Sequence, residues 1–386
     1  MLATLSPTDG AEGSDHGNMA FMCQDQPHVS QTVSQAGEEA VLAAIREVID
    51  PHNATRTGLE LGLGDDAAVV RFGHGQVAMT TDTMAEGQDF RRRWWAQARD
   101  WATDVGTKAA AQNLSDINAM GATTTALLIS LTLPPDTPLE WVQDFYRGVI
   151  RACQAPGAQD CLIAGGDLAS GETISVTITA LGEAPDGGSP LTRAGANAGD
   201  VLAVCGPLGY AAAGLALLEG GHAQQEGGSH RQLIHQCLLA QQRPTPPLTA
   251  GAAARSAGAS AGMDLSDGLL RDATRLAEAS AVSIRLDDAA LAAEAEQLTA
   301  VAAALGASPA DALEWVLTGG EDYSLLATFS ADAKLPTGFR AIGTVVDDTA
   351  LDDDTVQTDK PRNRSHAVLT DHTVSGAGWD SVAPIH

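Results

Sequence analysis

The sequence predicts an α/β (or α+β) protein of two domains, and three observations support this fold class. Strands alternate with helices in both halves of the chain. The length of 386 residues allows two domains that each bury a core. Residues 183–190, rich in glycine and proline, separate halves of similar size. We therefore expect a first domain over 37–185 and a second over 186–386.

The elements of the first half follow from periodicity and from the breakers between them. Residues 38–49 place Val41, Leu42, Ile45 and Ile49 on one face, which predicts an amphipathic helix. The sequence also predicts strands 67–72 and 76–81, paired around a turn at 73–75, then a helix 104–120, a strand 126–133 stopped by two prolines, a helix 139–153, and strands 161–164 and 173–181.

The second half repeats the alternation, and both ends of the chain are polar. It is predicted to contain a strand 200–205, a helix 209–218, a polar loop 219–230, a helix 268–279, a strand 282–286, strands 323–329 and 341–346, and a solvated turn at the charge run 352–354. Residues 1–36 are polar and aperiodic, which is typical of a disordered tail.

Composition and charge exclude several classes of function. Aromatic residues make up 4% of the chain and 40 residues are glycine, so we expect tight helix packing rather than aromatic cores. A net charge of −27 argues against nucleic acid or an anionic membrane as a partner. No signal peptide and no apolar run of membrane-spanning length are found, and the five cysteines form no Cys-x-x-Cys pair. These features predict a cytoplasmic protein with free thiols.

Aspartates beside small residues recur along the chain and suggest a magnesium–polyphosphate site. They occur at Asp66, Asp82, Asp116 and Asp167, and again at 264–267. Mg²⁺ prefers oxygen ligands, uses one or two carboxylates and shares its coordination with substrate phosphates. A P-loop is excluded because no Gly-Lys dipeptide occurs, and no kinase-type His-Arg-Asp is present. An ATP enzyme with this sequence must therefore use another architecture.

The motifs that surround these aspartates resemble those of thiamine-monophosphate kinases. In chain order they are Gly62-Leu-Gly-Asp-Asp-Ala-Ala-Val69, Thr80-Thr-Asp-Thr83, Asn113-Leu-Ser-Asp116, Gly165-Gly-Asp167, Leu191-Thr-Arg193, Arg243-Pro-Thr-Pro246, Met263-Asp-Leu-Ser-Asp-Gly268, Gly319-Gly-Glu-Asp-Tyr323 and Gly378-Trp-Asp380. The resemblance implies ATP-dependent phosphorylation of thiamine monophosphate to thiamine diphosphate. It also implies the two-domain fold of aminoimidazole ribonucleotide synthetase, with mixed sheets packed against helices, and a homodimer.

The resemblance also assigns roles to individual residues. The Mg²⁺ ligands that it implies are Asp66, Thr80, Thr81, Asp82, Asp116, Asp167, Asp264 and Asp267. ATP would contact Gly166, Asp167, Arg193 and Ser266. The thiamine pocket would be lined by Glu321 and Trp379, together with the residue at position 89.

The chemistry of this reaction needs no catalytic base. Donor and acceptor are both anionic phosphates, so several Mg²⁺ ions would explain the scattered aspartates. The acceptor phosphate has a second pKa near 6 and is already a nucleophile at neutral pH. We therefore expect direct in-line transfer of the γ-phosphoryl group without a phosphoenzyme.

Several of these residues have a structural alternative. Aspartates in Gly-Asp-Asp often bond their own backbone in turns. Asp267 could instead cap the helix that follows it, and Trp379 could pack a C-terminal segment. Lys108 could bind phosphate, but a structural ion pair or a surface position is favoured.

The chain departs from the family pattern at two places. Family members usually read Glu-Gly-x-His-Phe after the Thr-Thr-Asp motif, and that histidine contacts substrate. Here Glu86-Gly-Gln-Asp-Phe90 places Asp89 at this position, where a carboxylate would repel a phosphate but could pair with a cationic ring. The segment 91–104 is longer than usual and begins Arg91-Arg-Arg-Trp-Trp95. It either replaces the histidine or forms a surface loop.

Two rival functions remain open on the sequence alone. The first is another ATP-using enzyme of the same superfamily. Selenophosphate synthetase would need a reactive cysteine near a glycine-rich N-terminus, and Cys23 has no such setting. The second is a non-catalytic binder of thiamine phosphates or nucleotide, against which the full set of metal-ligating aspartates speaks.

Overall fold

Helices and strands alternate through the part of the chain that the computed structural model describes, which is residues 31–62, 67–73, 75–95, 98–184, 186–221, 230–347 and 368–372. The helices are α1 (Val33–Ala36), α2 (Glu38–Asn53), α3 (Ala98–Ala119), α4 (Leu139–Cys153), α5 (Tyr210–Glu219), α6 (Arg231–Gln242), α7 (Ala250–Ser256), α8 (Leu269–Ser280), α9 (Asp288–Ala304) and α10 (Pro309–Thr318). The strands are β1 (Leu59–Leu61), β2 (Val69–Val70), β3 (Ala78–Ala85), β4 (Thr123–Leu133), β5 (Leu162–Ser170), β6 (Ser175–Glu183), β7 (Val201–Cys205), β8 (Ala261–Leu265), β9 (Ser283–Leu286), β10 (Ser324–Phe329), β11 (Phe339–Val346) and β12 (Val368–Leu369).

The first half is organised around a four-stranded mixed sheet with the order β3-β6-β4-β5. β4 pairs with β5 in parallel and with β6 antiparallel, and β3 is the antiparallel partner of β6. Alternate residues of β4, such as Leu127, Ile129 and Leu131, are fully buried in the core. Helix α3 packs against this sheet, α4 packs on α3, and α2 packs on α4. The opposite face of the sheet carries exposed residues.

The second half is organised around a six-stranded sheet with the order β12-β9-β11-β7-β10-β8. All neighbouring strands are antiparallel except β12 and β9, which are parallel. β8 and β10 are buried along their whole length, and their buried polar residues are Asp264 in β8 and Ser324 and Thr328 in β10. Strand β8 lies at the edge of the sheet and also contacts α3 of the first half. The mixed sheets and helices confirm the α/β class.

One predicted pairing is wrong and several helices were missed. The strands flanking the turn at 73–75 do not pair with each other: β2 pairs with β1, and β3 pairs with β6. A glycine-containing turn between two extended segments is a local signal, and the long register with β6 overrides it. Helices α6, α7, α9 and α10 were not predicted. β5 extends past the predicted strand 161–164 to Ser170, through Gly166 and Asp167.

The close contact of α3 and α4 confirms the expected tight helix packing, but the expected lack of an aromatic core is wrong here, because Trp101 of α3 contacts Trp141 of α4, which stacks on Phe145. A Cβ added at Gly106 would lie 2.0 Å from the Phe145 backbone oxygen, and one at Gly148 would lie 2.0 Å from that of Thr103. The two helices therefore approach through reciprocal glycines. Bulkier side chains would push their backbones apart.

The remaining expectations about the chain are met in part. Residues 31–36 belong to the fold rather than to a disordered tail, because α1 has a capping box at Thr32 and the Val33 N–H donates to the Thr137 carbonyl. Cys153, Cys161, Cys205 and Cys237 are buried free thiols, and Cys23 lies outside the described residues. The charge run 352–354 and most of the loop 219–230 also lie outside them. Within the described ranges, no helix combines the length and the apolar composition needed to cross a membrane.

Candidate active site

Strand β3 and helix α3 bring three of the predicted metal ligands into contact. Side chains alternate along β3, and Thr80 and Asp82 face α3. The Thr80 hydroxyl donates a hydrogen bond of 2.6 Å to Asp116 Oδ2. Asp82 is hydrogen-bonded both to Asp116 and to Gln112, which precedes Asp116 by one helical turn. The Thr-Thr-Asp and Asn-Leu-Ser-Asp motifs therefore meet at one point.

The contact between Asp82 and Asp116 perturbs the ionisation of both groups. Burial raises the pKa of Asp82 to about 7, and the charge and hydrogen bond of Asp116 add to this effect. Burial also raises the pKa of Asp116, while hydrogen bonds from Thr80 and Asp82 and the charge of Arg193 lower it. Burial and mutual repulsion therefore favour one shared proton on the pair, since two adjacent carboxylates do not both ionise at low cost.

Strand β8 adds a third carboxyl group from the second half of the chain. Asp264 is 5% exposed, and the Ser115 hydroxyl donates a hydrogen bond of 3.2 Å to its Oδ2. Burial raises the pKa of Asp264 well above its usual range, and the charges of Asp116, Asp272 and Asp82 raise it further. We call Asp82, Asp116 and Asp264 the acidic cluster. Its members come from β3, α3 and β8.

The donor set of the acidic cluster suits Mg²⁺. Three carboxyl groups that repel one another will exchange a shared proton for a divalent cation. No three His, Cys, Asp or Glu side chains among the described residues form a ready-made coordination shell. Mg²⁺ does not require one, because it retains waters and uses substrate oxygens beside one or two carboxylates. Asp66, another predicted ligand, lies outside the described residues.

Three other predicted residues lie away from the acidic cluster within the single chain. Thr81 points to the opposite face of β3, where its hydroxyl bonds the Ile178 carbonyl at 3.2 Å. Asp167 lies exposed on β5, at the far edge of the sheet from β3. At Gly166 an added Cβ would lie 1.8 Å from the Ile129 carbonyl oxygen, so the close approach of β4 and β5 already requires glycine there.

Asp267 is engaged by arginines rather than by the acidic cluster. Its Oδ2 lies 2.6 Å from an Arg275 guanidinium nitrogen and 3.8 Å from Arg271 Nε. Helix α8 begins at Leu269 after the N-cap Gly268, so Asp267 is not the helix cap. To bind a metal ion, Asp267 would have to give up its ion pairs with Arg271 and Arg275.

The predicted nucleotide residues Ser266 and Arg193 are fixed through their backbones. The Ser266 carbonyl accepts a hydrogen bond of 2.9 Å from the Glu321 N–H. The Arg193 carbonyl accepts a hydrogen bond of 2.8 Å from the Ser280 hydroxyl, which also accepts from the N–H of Gly195. The exposed Arg193 side chain is thereby held near Asp116, whose pKa its charge lowers.

The turn that carries Glu321 is strained. Glu321 and Tyr323 have φ values of +66° and +50°, in the left-handed region that non-glycine residues seldom occupy. Between them, the Asp322 carboxylate accepts hydrogen bonds from the N–H groups of Gly209 and Ala211 at the start of α5. Such conformations persist where the surroundings over-determine them, and they are concentrated at functional sites.

Glu321 belongs to a buried charged network. Lys108 Nζ lies 2.7 Å from Glu321 Oε1, and the Gln241 amide donates a hydrogen bond of 2.6 Å to Glu321 Oε2. Lys108 Nζ also donates to the Asp89 carbonyl at 3.0 Å. Burial is the main cause that raises the pKa of Asp89, and the charge of Glu321 raises it further. The hydrogen bond from the Ala85 N–H lowers this pKa. Lys108 is therefore a structural ion-pair partner, and Asp89 lies beside Glu321.

The segment Arg91–Trp95 is a packed connection between the two halves. Trp94 is 3% exposed, and its indole N–H donates to Glu219 Oε1 on α5 at 2.7 Å. Arg91 and Arg93 both form ion pairs with the same carboxylate. The segment is neither a free surface loop nor a source of unpaired arginines at these two positions. Trp379 lies outside the described residues, so its predicted role is unchanged.

Sequence reasoning missed four residues that support the site. Gln112 and Ser115 lie on α3 beside Asp116, and helical spacing would have indicated Gln112 because it precedes Asp116 by four residues. Gln241 and Ser280 come from distant segments, and no local signal marks them.

The fold and the acidic cluster define the class of protein to which this chain belongs. The model of the AIR synthase related protein family matches residues 64–184 as its N-terminal domain and residues 197–353 as its C-terminal domain. Together these cover more than half of the chain. The protein is a two-domain AIR synthase related protein.

Known relatives specify the family further. A thiamine-monophosphate kinase of Mycobacterium tuberculosis is 42% identical over 323 residues, which is 83% of this chain and 88% of the relative. The solved thiamine-monophosphate kinase of Stenotrophomonas maltophilia K279a has a TM-score of 0.65 and 28% identity, with 84% of this chain and 95% of that chain covered. AaThiL complexed with AMPPCP and TMP gives a TM-score of 0.61 at 28% identity, with 89% and 96% covered. The chain belongs to the thiamine-monophosphate kinase family.

Proposed function

We propose that this chain transfers the γ-phosphoryl group of ATP to thiamine monophosphate, forming thiamine diphosphate and ADP. The observation that carries the proposal is the acidic cluster, which unites carboxyl groups from both halves beside Arg193. The M. tuberculosis relative is named for this activity, and the solved AaThiL binds an ATP analogue together with TMP. Both support the proposal.

Different residues would bind Mg²⁺ and the phosphates of ATP. Asp82, Asp116 and Asp264 would hold Mg²⁺, with Asp66 and Thr80 as further proposed ligands. When bound, Mg²⁺ supplies the positive charge that lets two phosphates approach each other. Arg193 would add a fixed positive charge at an ATP phosphate. No side chain has to remove a proton, since the acceptor phosphate is already largely ionised at neutral pH. These conditions favour direct in-line transfer.

The acceptor would bind at the buried network of Glu321. Glu321 and Asp89 together place two carboxyl groups on one side of the site, where they would favour the cationic part of thiamine monophosphate over its phosphate. Trp379 remains the proposed stacking face.

Asp89→His is expected to raise the KM for thiamine monophosphate by about fivefold, because one carboxyl group facing the cationic ring is lost. The KM for ATP should change little. Steady-state kinetics with each substrate varied in turn would measure both values, with the exposed Asp332→His as a matched control. An unchanged KM for thiamine monophosphate would place Asp89 outside the acceptor pocket.

We also propose that the chain forms a homodimer through the open face of the four-stranded sheet. Met79 is 71% exposed and Leu128 is 38% exposed on this face, which α3 does not cover. Exposed apolar residues grouped on one sheet face indicate an interface. A second copy on this face would also cover Thr81 and Asp167, the predicted ligands that lie away from the acidic cluster of their own chain.

Met79→Lys is expected to convert the dimer to monomer, because a charge would be buried at the centre of the interface. Sedimentation velocity of the variant and of wild type would show the change. Met120→Lys is unsuitable as a control, because Met120 packs on the core. A dimer of wild-type affinity in the Met79 variant would place the interface elsewhere.

A cytoplasmic location is part of the same proposal. It is supported by the four buried free thiols among the described residues, which suit a reducing compartment.

The proposed function is tested by ADP release from Mg-ATP with thiamine monophosphate, with thiamine and without acceptor. We expect release that depends on thiamine monophosphate. ADP release that no thiamine compound increases would reject this acceptor and favour another enzyme of the superfamily. Tight binding of thiamine monophosphate without release would identify a non-catalytic binder.

A further inference from the structure

The burial of Lys108 is unusual and calls for a function. Its side chain is among the largest fully buried ones in the described part of the chain, at 1% exposure, in the interior of α3. A lysine is almost never buried to this extent unless it is paired. Its two observed partners are Glu321 and the carbonyl of Asp89, and both belong to the proposed acceptor site.

Glu321 depends on these partners for its orientation. Among the described residues, Oε1 contacts the Lys108 ammonium group and Oε2 accepts a hydrogen bond from the Gln241 amide. Its backbone is in the left-handed region, so the turn does not hold the side chain in place by a favourable local conformation. The ion pair and the amide fix the carboxylate instead. Without Lys108 a buried negative charge would be left without its cation.

Lys108 also connects three separate segments. It lies on α3, Glu321 follows α10, and Asp89 lies in the turn after β3. The same turn is held by the Asp89 side chain, which accepts a hydrogen bond of 2.7 Å from the Ala85 N–H. A single ammonium group therefore joins the Glu321 carboxylate to the backbone of the turn that carries Asp89.

The structure assigns Lys108 as a positioning residue: it orients Glu321 against the Asp89 turn and so shapes the acceptor site for a ligand with a fixed positive charge. This inference rests on the proposed function. Lys108 is 1% exposed, and its ammonium group contacts the Glu321 carboxylate and the Asp89 carbonyl, which makes it a partner of protein groups. Its side chain pairs with Glu321, and the Asp89 carboxyl group lies beside the same ion pair.

The test compares three variants with wild type. Lys108→Met keeps the length of the side chain and removes the charge. Lys108→Met combined with Glu321→Gln removes both members of the ion pair, so a buried charge is no longer left unpaired and folding is preserved. Lys334→Met is the matched control, because Lys334 is exposed and outside the site. Thermal unfolding and the two KM values are measured for each.

We expect Lys108→Met to lower the melting temperature and the double variant to recover most of it. In both, the KM for thiamine monophosphate should rise about tenfold or more, the loss expected for a hydrogen bond to a charged group. The KM for ATP should stay within about twofold of wild type. A general structural defect would change both KM values. A folded Lys108→Met variant with the wild-type KM for thiamine monophosphate would overturn the inference alone, and a double variant with the wild-type KM would also remove Glu321 from the proposed acceptor site. Wild type without activity on thiamine monophosphate would overturn the proposed function as well.

Discussion

Asp82→Asn is expected to lower turnover by about 10²–10³-fold or more while the fold is kept, because an electrostatic stabiliser at the reacting phosphates is lost. Asp82 lies at the centre of the acidic cluster, hydrogen-bonded to Asp116 and coupled by charge to Asp264. Asparagine keeps the shape and the hydrogen bonding but cannot carry the negative charge. The exposed Asp160→Asn is the matched control in the same half of the chain.

The same variant has a second expected effect, on stability without metal. The pKa of Asp82 is raised to about 7 in the folded protein from an ordinary value of 3.8. A carboxyl group whose pKa is raised in the folded protein destabilises the fold as the pH rises. This effect grows between the pKa of the group in the unfolded chain and its pKa in the folded protein. In EDTA the variant should therefore melt above wild type at pH 8, and the difference should vanish near pH 4. Wild-type turnover in the variant would contradict the assignment of Asp82 to the metal site.

Gly148→Ala is expected to destabilise the protein by about 3 kcal/mol, which corresponds to a fall of roughly 4 °C in Tm for a chain of this length. The new Cβ would lie 2.0 Å from the Thr103 carbonyl oxygen, which is backbone and cannot rotate away. Helices α3 and α4 would have to separate, and α3 carries Asp116 and Lys108. Turnover should fall with stability for this reason.

Differential scanning calorimetry of Gly148→Ala would measure the change, with Gly73→Ala as the control. At Gly73 the nearest atom to an added Cβ lies 3.6 Å away, which is ordinary contact. If the two variants have the same Tm, the reciprocal glycine contact does not determine how closely α3 and α4 pack.

The sequence predicted the elements that are locally marked. Helix α4 begins and ends at the predicted residues 139–153, since Pro138 is its N-cap and its apolar face continues to Cys153. Helix α9 was missed because its alanine-rich sequence shows no distinct polar face over Asp288–Ala304. Helix α10 did carry a signal, a capping box at Ser308 and Asp311 with Pro309 at the start, that was not used.

The candidate site was only partly accessible from the sequence. Motifs indicated Asp82, Asp116 and Asp264, and the structure brings these three together. Thr81 points away from Thr80 and Asp82 because side chains alternate along a strand. This alternation assigns Thr81 to a face only when the bounds of the strand and its buried face are known. The pairing of Lys108 with Glu321 joins residues 213 positions apart, and no local pattern predicts such a contact.

Transfer of label from [γ-³²P]ATP tests the central claim most directly. Purified protein with Mg²⁺ and thiamine monophosphate should place the label in thiamine diphosphate, one for each ADP formed, with none on the protein. Asp82→Asn should form labelled product at a rate lower by about 10²–10³-fold or more under the same conditions. Label released as inorganic phosphate, or retained on the protein, would contradict direct transfer at the acidic cluster.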